Sequence, residues 1–322
     1  MRIGTRGSPL ALAQAEELRR GLAATHPRFR APDAVVVTVI RTSGDRIQDR
    51  PLAELGGKGL FTKEIEEALL DGRVDCAAHS MKDLPTWLPA GLTIGCLLPR
   101  EDPRDALFAR EGNSIASLPR GAVVGTASLR RAAQLLAQRP DLRIVPLRGN
   151  VGTRLAKLEA GAVDATLLAL AGLKRLGLAD RATAILAPEE MLPAVAQGAI
   201  GIEIREGDSA LVELLAPLDD PATAVRVAAE RACLAELDGS CHTPIAALAE
   251  AAAGEAAAGE AAAGGAAAGD RLRLRALIAL PDGSAMERDE RHGPASAAAA
   301  LGRAAGLALK ARAAPTFFRA AG

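Results

Sequence analysis

The polar run AHSMKDLP, residues 78–85, holds the most side chains that could do chemistry, and it follows a predicted strand. Ligands in open α/β sheets bind at the carboxyl ends of the strands, so this loop is suitably placed. Asp83, beside Lys82 in a cleft, could hold a cationic intermediate or transfer a proton. The alternative is a solvated turn that ends at Pro85, and the spacing alone leaves that alternative open.

A second candidate site is the run GTASLRR, residues 125–131, in which a predicted strand turns into a helix. The first turn of a helix offers free N–H groups to an anion, and Thr126 and Ser128 add hydroxyls. Arg130 and Arg131 oppose the helix dipole, which indicates a function rather than a stabilising surface charge. Similar groups follow other strands: Arg148, Gly149 and Arg154, and also Arg6 and Ser8. The alternative, solvated arginines from a biased composition, stays open.

Cys241 lies in a Gly-Ser-Cys-His loop and could act as a nucleophile if its thiolate is accessible. An inert thiol is the alternative, since the adjacent His242 does not by itself indicate a catalytic pair. Cys76, Cys96 and Cys233 fall in predicted strands and a helix, where we expect core packing. The cysteines have no metal-ligand spacing, so no metal site is expected.

The composition is that of a globular protein: 322 residues, 49% hydrophobic and 24% charged. The formal net charge of zero argues against nucleic-acid binding through bulk positive charge. No apolar run is long enough to span a membrane, and no secretory signal is visible. We therefore expect a cytoplasmic protein with reduced thiols, no membrane association and no nucleic-acid partner.

Strand-like and helix-like segments alternate in the first two thirds, which predicts α/β lobes with largely parallel sheets. The predicted strands are 2–5, 34–40 (a buried strand), 74–77, 92–98, 122–125, 143–147, 163–169 and 272–280. The predicted helices are 9–24, 61–70, 128–138, 151–160, 170–176, 222–237 and 295–312. Residues 100–107 read as a crossover between lobes, and the Ala/Gly/Glu repeat at 251–269 reads as a mobile surface insertion.

These residues resemble the porphobilinogen deaminase (hydroxymethylbilane synthase) family over nearly the whole chain. The motifs that carry the resemblance, in the family's order, are RIGTRGSPLALAQA, GGKGLFTKEIEEALL, HSMKDLP, REDPRDAL, VGTASLRR, LRGNVGTRL, LAGLKRLGL and AERACLAELDGSCHTPI. The resemblance implies two periplasmic-binding-protein-like α/β lobes and a smaller α+β C-terminal domain. The expected division is 1–99 plus 197–216, 100–196, and 217–322.

The resemblance also implies a reaction. The family condenses four porphobilinogen molecules head to tail with loss of ammonia, on a dipyrromethane cofactor joined by a thioether to a loop cysteine, here Cys241. It then releases hydroxymethylbilane by hydrolysis. Positive charge develops at the pyrrole nitrogens, so a nearby carboxylate is needed, and Asp83 matches the family's catalytic aspartate. The rival interpretation is a non-catalytic two-lobed protein that captures an anionic ligand.

The family's acetate and propionate side chains need many cationic and polar partners. The matching residues here are Arg6, Ser8, Lys58, Ser80, Lys82, Thr126, Ser128, Arg130, Arg131, Arg148, Gly149, Arg154, Arg175 and Gln197, with Phe61 near Lys58 in a loop segment. Two positions depart from the family pattern: Ser240 stands where glycine is common, and Glu54 stands where some members carry lysine. A monomer is the expected state.

Overall fold

The computed structural model describes residues 1–46, 62–237, 243–252, 271–314 and 317. The strands are β1 (Arg2–Thr5), β2 (Val36–Val39), β3 (Cys76–Ser80), β4 (Leu92–Leu97), β5 (Asp105–Ala109), β6 (Val123–Gly125), β7 (Arg143–Val145), β8 (Ala165–Ala169), β9 (Ala184–Ile185), β10 (Ile200–Arg205), β11 (Ile245–Ala251), β12 (Arg271–Ala279) and β13 (Met286–Pro294). The helices are α1 (Pro9–Thr25), α2 (Ser43–Arg46), α3 (Lys63–Leu70), α4 (Leu129–Gln138), α5 (Val151–Glu159), α6 (Leu170–Arg175), α7 (Ser209–Leu215), α8 (Pro221–Glu236) and α9 (Ala298–Arg312).

The first lobe is built on a five-stranded sheet of order β2-β1-β3-β10-β4. β1 is parallel to both β2 and β3, whereas β10 is antiparallel to β3 and β4. Four of the five strands therefore share one direction, as the α/β pattern predicts. The strand predicted at 34–40 is shorter and is not buried, because β2 is an edge strand that leaves about half of Val36 and Val39 exposed.

The second lobe repeats this arrangement in a sheet of order β7-β6-β8-β5-β9. β6 is parallel to β7 and β8, and β5 is antiparallel to β8 and β9. β5 lies partly within the segment that the sequence predicts to be a crossover, so that segment is shorter than expected. The strand was missed because it begins with a charged residue, Asp105, which is typical of a loop. In the fold, however, β5 is a buried strand.

Two crossings, residues 98–104 and 186–199, join the lobes. Each crossing leads into the one antiparallel strand of the sheet it enters, β5 or β10. The crossings touch at Gly198, whose φ is +91° and where an added Cβ would lie 2.3 Å from the carbonyl oxygen of Glu101. Only glycine fits this close approach, and paired crossings of this kind are where two lobes hinge.

The third part of the chain is α+β, as predicted. β11, β12 and β13 form an antiparallel sheet, and α8 and α9 pack on it around Val227, Leu274 and Leu309. The predicted insertion begins too early, because Ala251 is still in β11 and pairs with Leu272 of β12. The rest of the insertion, from 253 to 270, lies outside the described residues.

Candidate active site

The end of β3 positions Asp83. After Ser80 the chain makes one 3-10 turn, Met81–Asp83, and the buried side chains of Met81 and Leu84 anchor it on both sides. Between these anchors Asp83 is exposed. Arg231 of α8 donates to the carbonyl oxygens of Leu84 at 3.2 Å and Pro85 at 2.5 Å. The Asp83 carboxylate is therefore accessible to solvent. Its backbone is held by the buried side chains of the first lobe and by Arg231 of α8, in the C-terminal part of the chain.

A pocket opens at the carboxyl ends of β1 and β3, and Asp83 is on its wall. Its lining consists of Thr5, Arg6, Ser8, Leu10, Ala11, Gln14, Thr62, Ala78, His79, Ser80 and Asp83. Ser8 is the N-cap of α1 and accepts from the N–H of Ala11 at 3.2 Å, which leaves its hydroxyl proton to donate. Ser80 pairs with Gln14 at 2.8 Å. The pocket thus combines a cation, hydroxyls and a carboxylate, as the sequence predicts.

The second lobe presents polar groups at the starts of α4 and α5. Ser128 caps α4 and accepts from the N–H of Arg131 at 3.4 Å, while Thr126 Oγ1 accepts from the N–H of Ser128 at 3.1 Å. Gly149 has φ +116°, and an added Cβ would lie 2.7 Å from a methyl carbon of Thr153. Glycine is therefore required at this turn, which shapes the approach to α5.

Arg154 of α5 connects the two lobes electrostatically. Burial, together with the nearby positive charges of Arg131 and Arg148, lowers the pKa of its guanidinium to about 10, and Asp83 opposes these effects. Asp83 of the first lobe therefore lies within electrostatic reach of a cationic group on the second lobe. The arrangement is a cleft with one carboxylate on one side and several guanidinium groups on the other.

Arg130 and Arg131, which are predicted to bind ligand carboxylates, are paired with a carboxylate of the protein. Both are nearly buried and form ion pairs with the fully buried Asp105, at 2.8 and 2.7 Å. Although burial alone would raise the pKa of Asp105, the two guanidinium charges hold it well below its usual range. Arg130 also donates to the Leu192 carbonyl at 2.7 Å, and Arg131 to that of Leu167 at 2.8 Å. These arginines have a structural partner already.

Gln197 links Asp105 to the Asp83 loop. Its amide nitrogen donates to Asp105 Oδ1 at 2.9 Å, and its amide oxygen accepts from Lys82 Nζ at 3.3 Å. Burial lowers the pKa of Lys82 to about 8, with Asp83 opposing that effect and Arg131 adding to it. A polar network therefore runs from the carboxylate loop of one lobe, through the second crossing, into the other lobe.

Arg175 spans the lobes as well. Its Nε donates to Glu17 of α1 at 2.8 Å, and both terminal nitrogens reach the Gly198 carbonyl at 3.1 and 3.2 Å. Its side chain is mostly buried. In this structure Arg175 ties α6 to the first lobe and the second crossing, and it does not lie in the pocket described above.

A second interlobe element is centred on Glu230 of α8, a residue that the sequence analysis did not identify. Its carboxylate pairs with Arg100 at 2.6 Å and accepts from the N–H groups of Ala196 at 2.6 Å and Ala249 at 2.8 Å. One buried acid thus holds both crossings and the third sheet. Arg100 and Glu230 are 130 positions apart, so no local sequence pattern indicates that they pair, and only the fold shows it.

Several predicted residues lie outside the described residues: Lys58 and Phe61, Glu54, Cys241 with its neighbours Ser240 and His242. α8 ends at Glu236, just before the cofactor-loop segment. Cys76, Cys96 and Cys233 are buried core residues as predicted, and burial raises the pKa of the Cys96 and Cys233 thiols to about 12. Among described residues no His, Cys, Asp and Glu cluster could hold a metal ion, and no helix is long and apolar enough to cross a membrane.

The fold and the site define a two-lobed protein with a third α+β part, whose cationic cleft suits an anionic ligand and places one accessible carboxylate in it. The family model for the porphobilinogen deaminase dipyrromethane cofactor-binding domain matches residues 1–213, and the model for the C-terminal domain of the same family matches residues 224–311. The chain belongs to the porphobilinogen deaminase family, which confirms the resemblance and favours an enzyme over a non-catalytic binder.

Individual relatives agree. The porphobilinogen deaminase of Paracoccus denitrificans is 55% identical over 318 residues, covering 99% of this chain and 96% of that protein. The chloroplastic porphobilinogen deaminase of Oryza sativa subsp. japonica is 51% identical over 320 residues, covering 99% of this chain and 85% of that protein. Among solved structures, the methionine-binding protein MetQ is 14% identical over 68% of this chain and 89% of that chain, with a TM-score of 0.43.

Proposed function

We propose that this protein is a porphobilinogen deaminase that condenses four porphobilinogen molecules head to tail, releases ammonia at each step, and frees hydroxymethylbilane by hydrolysis. The observation that carries the proposal is the position of Asp83, an accessible carboxylate facing guanidinium groups across a cleft. In a chain of this family, that geometry provides both an anionic centre for the reaction and cations for the carboxylates of the substrate.

Asp83 stabilises the positive charge that develops at the pyrrole nitrogens when the aminomethyl nitrogen leaves. A fixed carboxylate in a partly enclosed site is most effective there, because it needs no rearrangement as the charge appears. The held loop supplies that rigidity: Met81 and Leu84 are buried, and Arg231 fixes the carbonyl groups that follow. Proton transfer to or from the reacting groups is its second role.

The acetate and propionate groups of substrate and product bind to the cationic and hydroxyl groups of the cleft. The proposed binding residues with described positions are Arg6, Ser8, Ser80, Lys82, Thr126, Ser128, Arg148, Gly149 and Arg154. Arg130, Arg131, Arg175 and Gln197 are proposed to bind cofactor or substrate as well, as the family motifs imply, and their contacts with protein groups hold the lobes and the Asp83 loop in register. Lys58 completes the set as a binding residue inferred from the family motif.

The cleft fits the family's dipyrromethane cofactor, because Arg154 is repelled by Arg131 and Arg148 and attracted by one carboxylate, an excess of positive charge that carboxylates would neutralise. When bound, the cofactor supplies the pyrrole carbon on which the chain grows. Arg148 and Arg154 hold its carboxylates, and Cys241 is the attachment residue. α8 ends five residues before Cys241, so the anchored helix determines where the attachment loop begins.

We also propose the division into three domains at 1–99 plus 197–216, 100–196 and 217–322. The support is that each sheet draws its strands from one of these sets. A cytoplasmic monomer that binds no nucleic acid completes the proposal, and the zero formal net charge supports the last point.

Intact-mass measurement of the purified protein tests the function, followed by peptide mapping around Cys241. The expected result is an increment of two linked pyrrole units on the Cys241 peptide, absent from Cys241→Ser, and release of ammonia when porphobilinogen is added. An unmodified protein that stays unmodified after porphobilinogen is added, and that releases no ammonia, would overturn the proposal.

A further inference from the structure

Beneath the pocket lies a buried group of ionisable side chains that the proposed reaction has not used. His79 of β3 has its Nε2 3.0 Å from Oε2 of Glu203 of β10, with 5% and 0% of the two side chains exposed. Glu66 of α3 and Thr62 are also buried. Three elements of the first lobe thus bring an imidazole and two carboxylates together under one pocket.

The two faces of the His79 ring differ. The Glu203 carboxylate has no hydrogen-bond partner among described residues, and it lies on the Nε2 side of the ring at 3.0 Å. Nδ1 makes no hydrogen bond within the described part of the chain and is not among the fully enclosed unpartnered atoms, and the ring lines the pocket. The ring therefore has a carboxylate behind it and the pocket in front.

The ring is surrounded by ionisable groups from three elements of the first lobe. Glu203 faces it from β10, and Glu66 adds a second carboxyl group from α3; Arg6 and Asp83 line the same pocket. Burial raises the pKa of Glu66, Thr62 opposes that shift by donating a hydrogen bond, and the Glu203 charge raises it further. A buried carboxylate next to an imidazole fixes the orientation of the ring.

We propose that His79, backed by Glu203, is a second proton-transfer group of the proposed deaminase reaction, working in the pocket that Asp83 also lines. The inference rests on the proposed function. In each condensation the C–N bond of the aminomethyl group breaks and its electron pair goes to nitrogen. A new C–C bond forms at the pyrrole α-carbon, and the C–H bond there breaks. His79 Nδ1 first donates a proton to the departing nitrogen, which leaves as ammonia, and then takes up the proton of the broken C–H bond, so that the ring ends each condensation as it began.

With His79 as a second group, proton transfer does not depend on Asp83 alone. Asp83 supplies the negative charge for the developing positive charge, while the imidazole gives up and regains a proton in each cycle. Glu203 offsets the positive charge of the ring while it holds the proton. Asp83 alone would have to give up its negative charge at the moment when that charge is most useful.

The first test compares His79→Gln with His292→Gln in the complete protein. His292 is a matched control because it also pairs with a carboxylate, Glu290 at 3.1 Å, but is half-exposed on β13 far along the third sheet. His79→Gln should lower kcat about 100-fold, change KM less than about threefold, and retain the pyrrole mass increment. His79→Ala should regain activity in imidazole buffer. A kcat of His79→Gln within threefold of His292→Gln would refute the proposal.

A second measurement does not depend on turnover or on His79 variants folding. In Asp83→Asn protein labelled with ¹⁵N in its histidines, porphobilinogen should shift the Nδ1 resonance of His79 and leave His292 unchanged. No shift at His79 means that the ring does not face the substrate, which overturns the proposal. Absence of ammonia release by the wild-type protein would instead count against the proposed function itself.

Discussion

Lys82 Nζ lies 3.3 Å from Gln197 Oε1, and this contact joins the loop of the proposed catalytic aspartate to the crossing that returns from the second lobe. The other end of the Gln197 amide donates to Asp105. Movement of one lobe relative to the other is therefore transmitted to the residue next to Asp83. Because Gln197 lies in the hinge and contacts the Asp83 loop, the geometry of the proposed active site is coupled to the relative position of the lobes.

Asp83→Asn keeps the size of the side chain and removes its charge. We expect a folded protein that retains its pyrrole increment but loses at least about 100-fold in ammonia release, because the developing positive charge has no counter-ion. Intact mass and an ammonia assay measure both quantities. Asp180→Asn, an exposed aspartate of the second lobe, is the control and should match the wild type. Normal turnover by Asp83→Asn would remove Asp83 from the mechanism.

The lowered pKa of Lys82 gives a prediction about pH. With a pKa near 8, the ammonium group is largely lost between pH 7 and pH 9, so KM for the carboxylate-bearing substrate should rise about tenfold over that range. Lys82→Arg keeps its charge and should have a flatter profile; an identical profile in both proteins would contradict the role. The effect on stability has the opposite sign to the effect on substrate binding. Between pH 8 and 10.5 Lys82 binds fewer protons in the folded protein than in the unfolded one, because its pKa is lower in the folded protein. The Lys82 contribution to the free energy of unfolding therefore rises with pH over that range.

Asp105→Asn should destabilise the protein by about 3–5 kcal/mol, because it leaves two buried guanidinium groups without a counter-charge. The folded-state pKa of Asp105 is lowered, so its contribution is present above about pH 4 and is lost as pH falls below that value. Urea unfolding at pH 3 and pH 7 should therefore show a smaller pH effect in the variant. Asp33→Asn, exposed in the first lobe, should behave as the wild type does.

Arg100→Met breaks the buried pair with Glu230 that holds both crossings. The uncompensated acid should cost about 3–5 kcal/mol in the free energy of unfolding. Arg73→Met removes an exposed pair with Asp71 and should cost no more than about 1 kcal/mol. Thermal unfolding of the two variants side by side measures the difference. Equal losses would show that Glu230 does not hold the crossings together energetically.

The insertion between β11 and β12 can be replaced by a short turn. The N–H of Ala252 donates to the Arg271 carbonyl at 2.9 Å, so the two strand ends already meet. Replacing residues 253–270 with Asn-Gly, a common two-residue hairpin turn, should leave turnover within about twofold of the wild type and raise the melting temperature slightly. A folded variant with a large loss of turnover would assign the repeat a function.

The sequence indicated most of the local structure, because local physics decides it. Ser8 before Pro9 and Ser128 before an apolar-periodic run specify helix starts through caps that form within one turn. Edge and antiparallel strands such as β2, β5 and β10 were mistaken or missed, since their burial and direction depend on partners far away in the chain. Propensity is a weak guide when a neighbouring strand supplies the stabilisation.

The motifs determined the family and, with it, the candidate residues from Arg6 to Cys241. Only the tertiary structure showed that Arg130 and Arg131 are paired with an acid of the protein, because such pairing depends on distance in space. Asp105 stands in a motif that gave no sign of its partners, yet it occupies Arg130 and Arg131. Likewise, the sequence places His79 in a motif with no sign of its partner. Only the folded sheet brings Glu203, 124 positions away in the chain, next to the His79 ring.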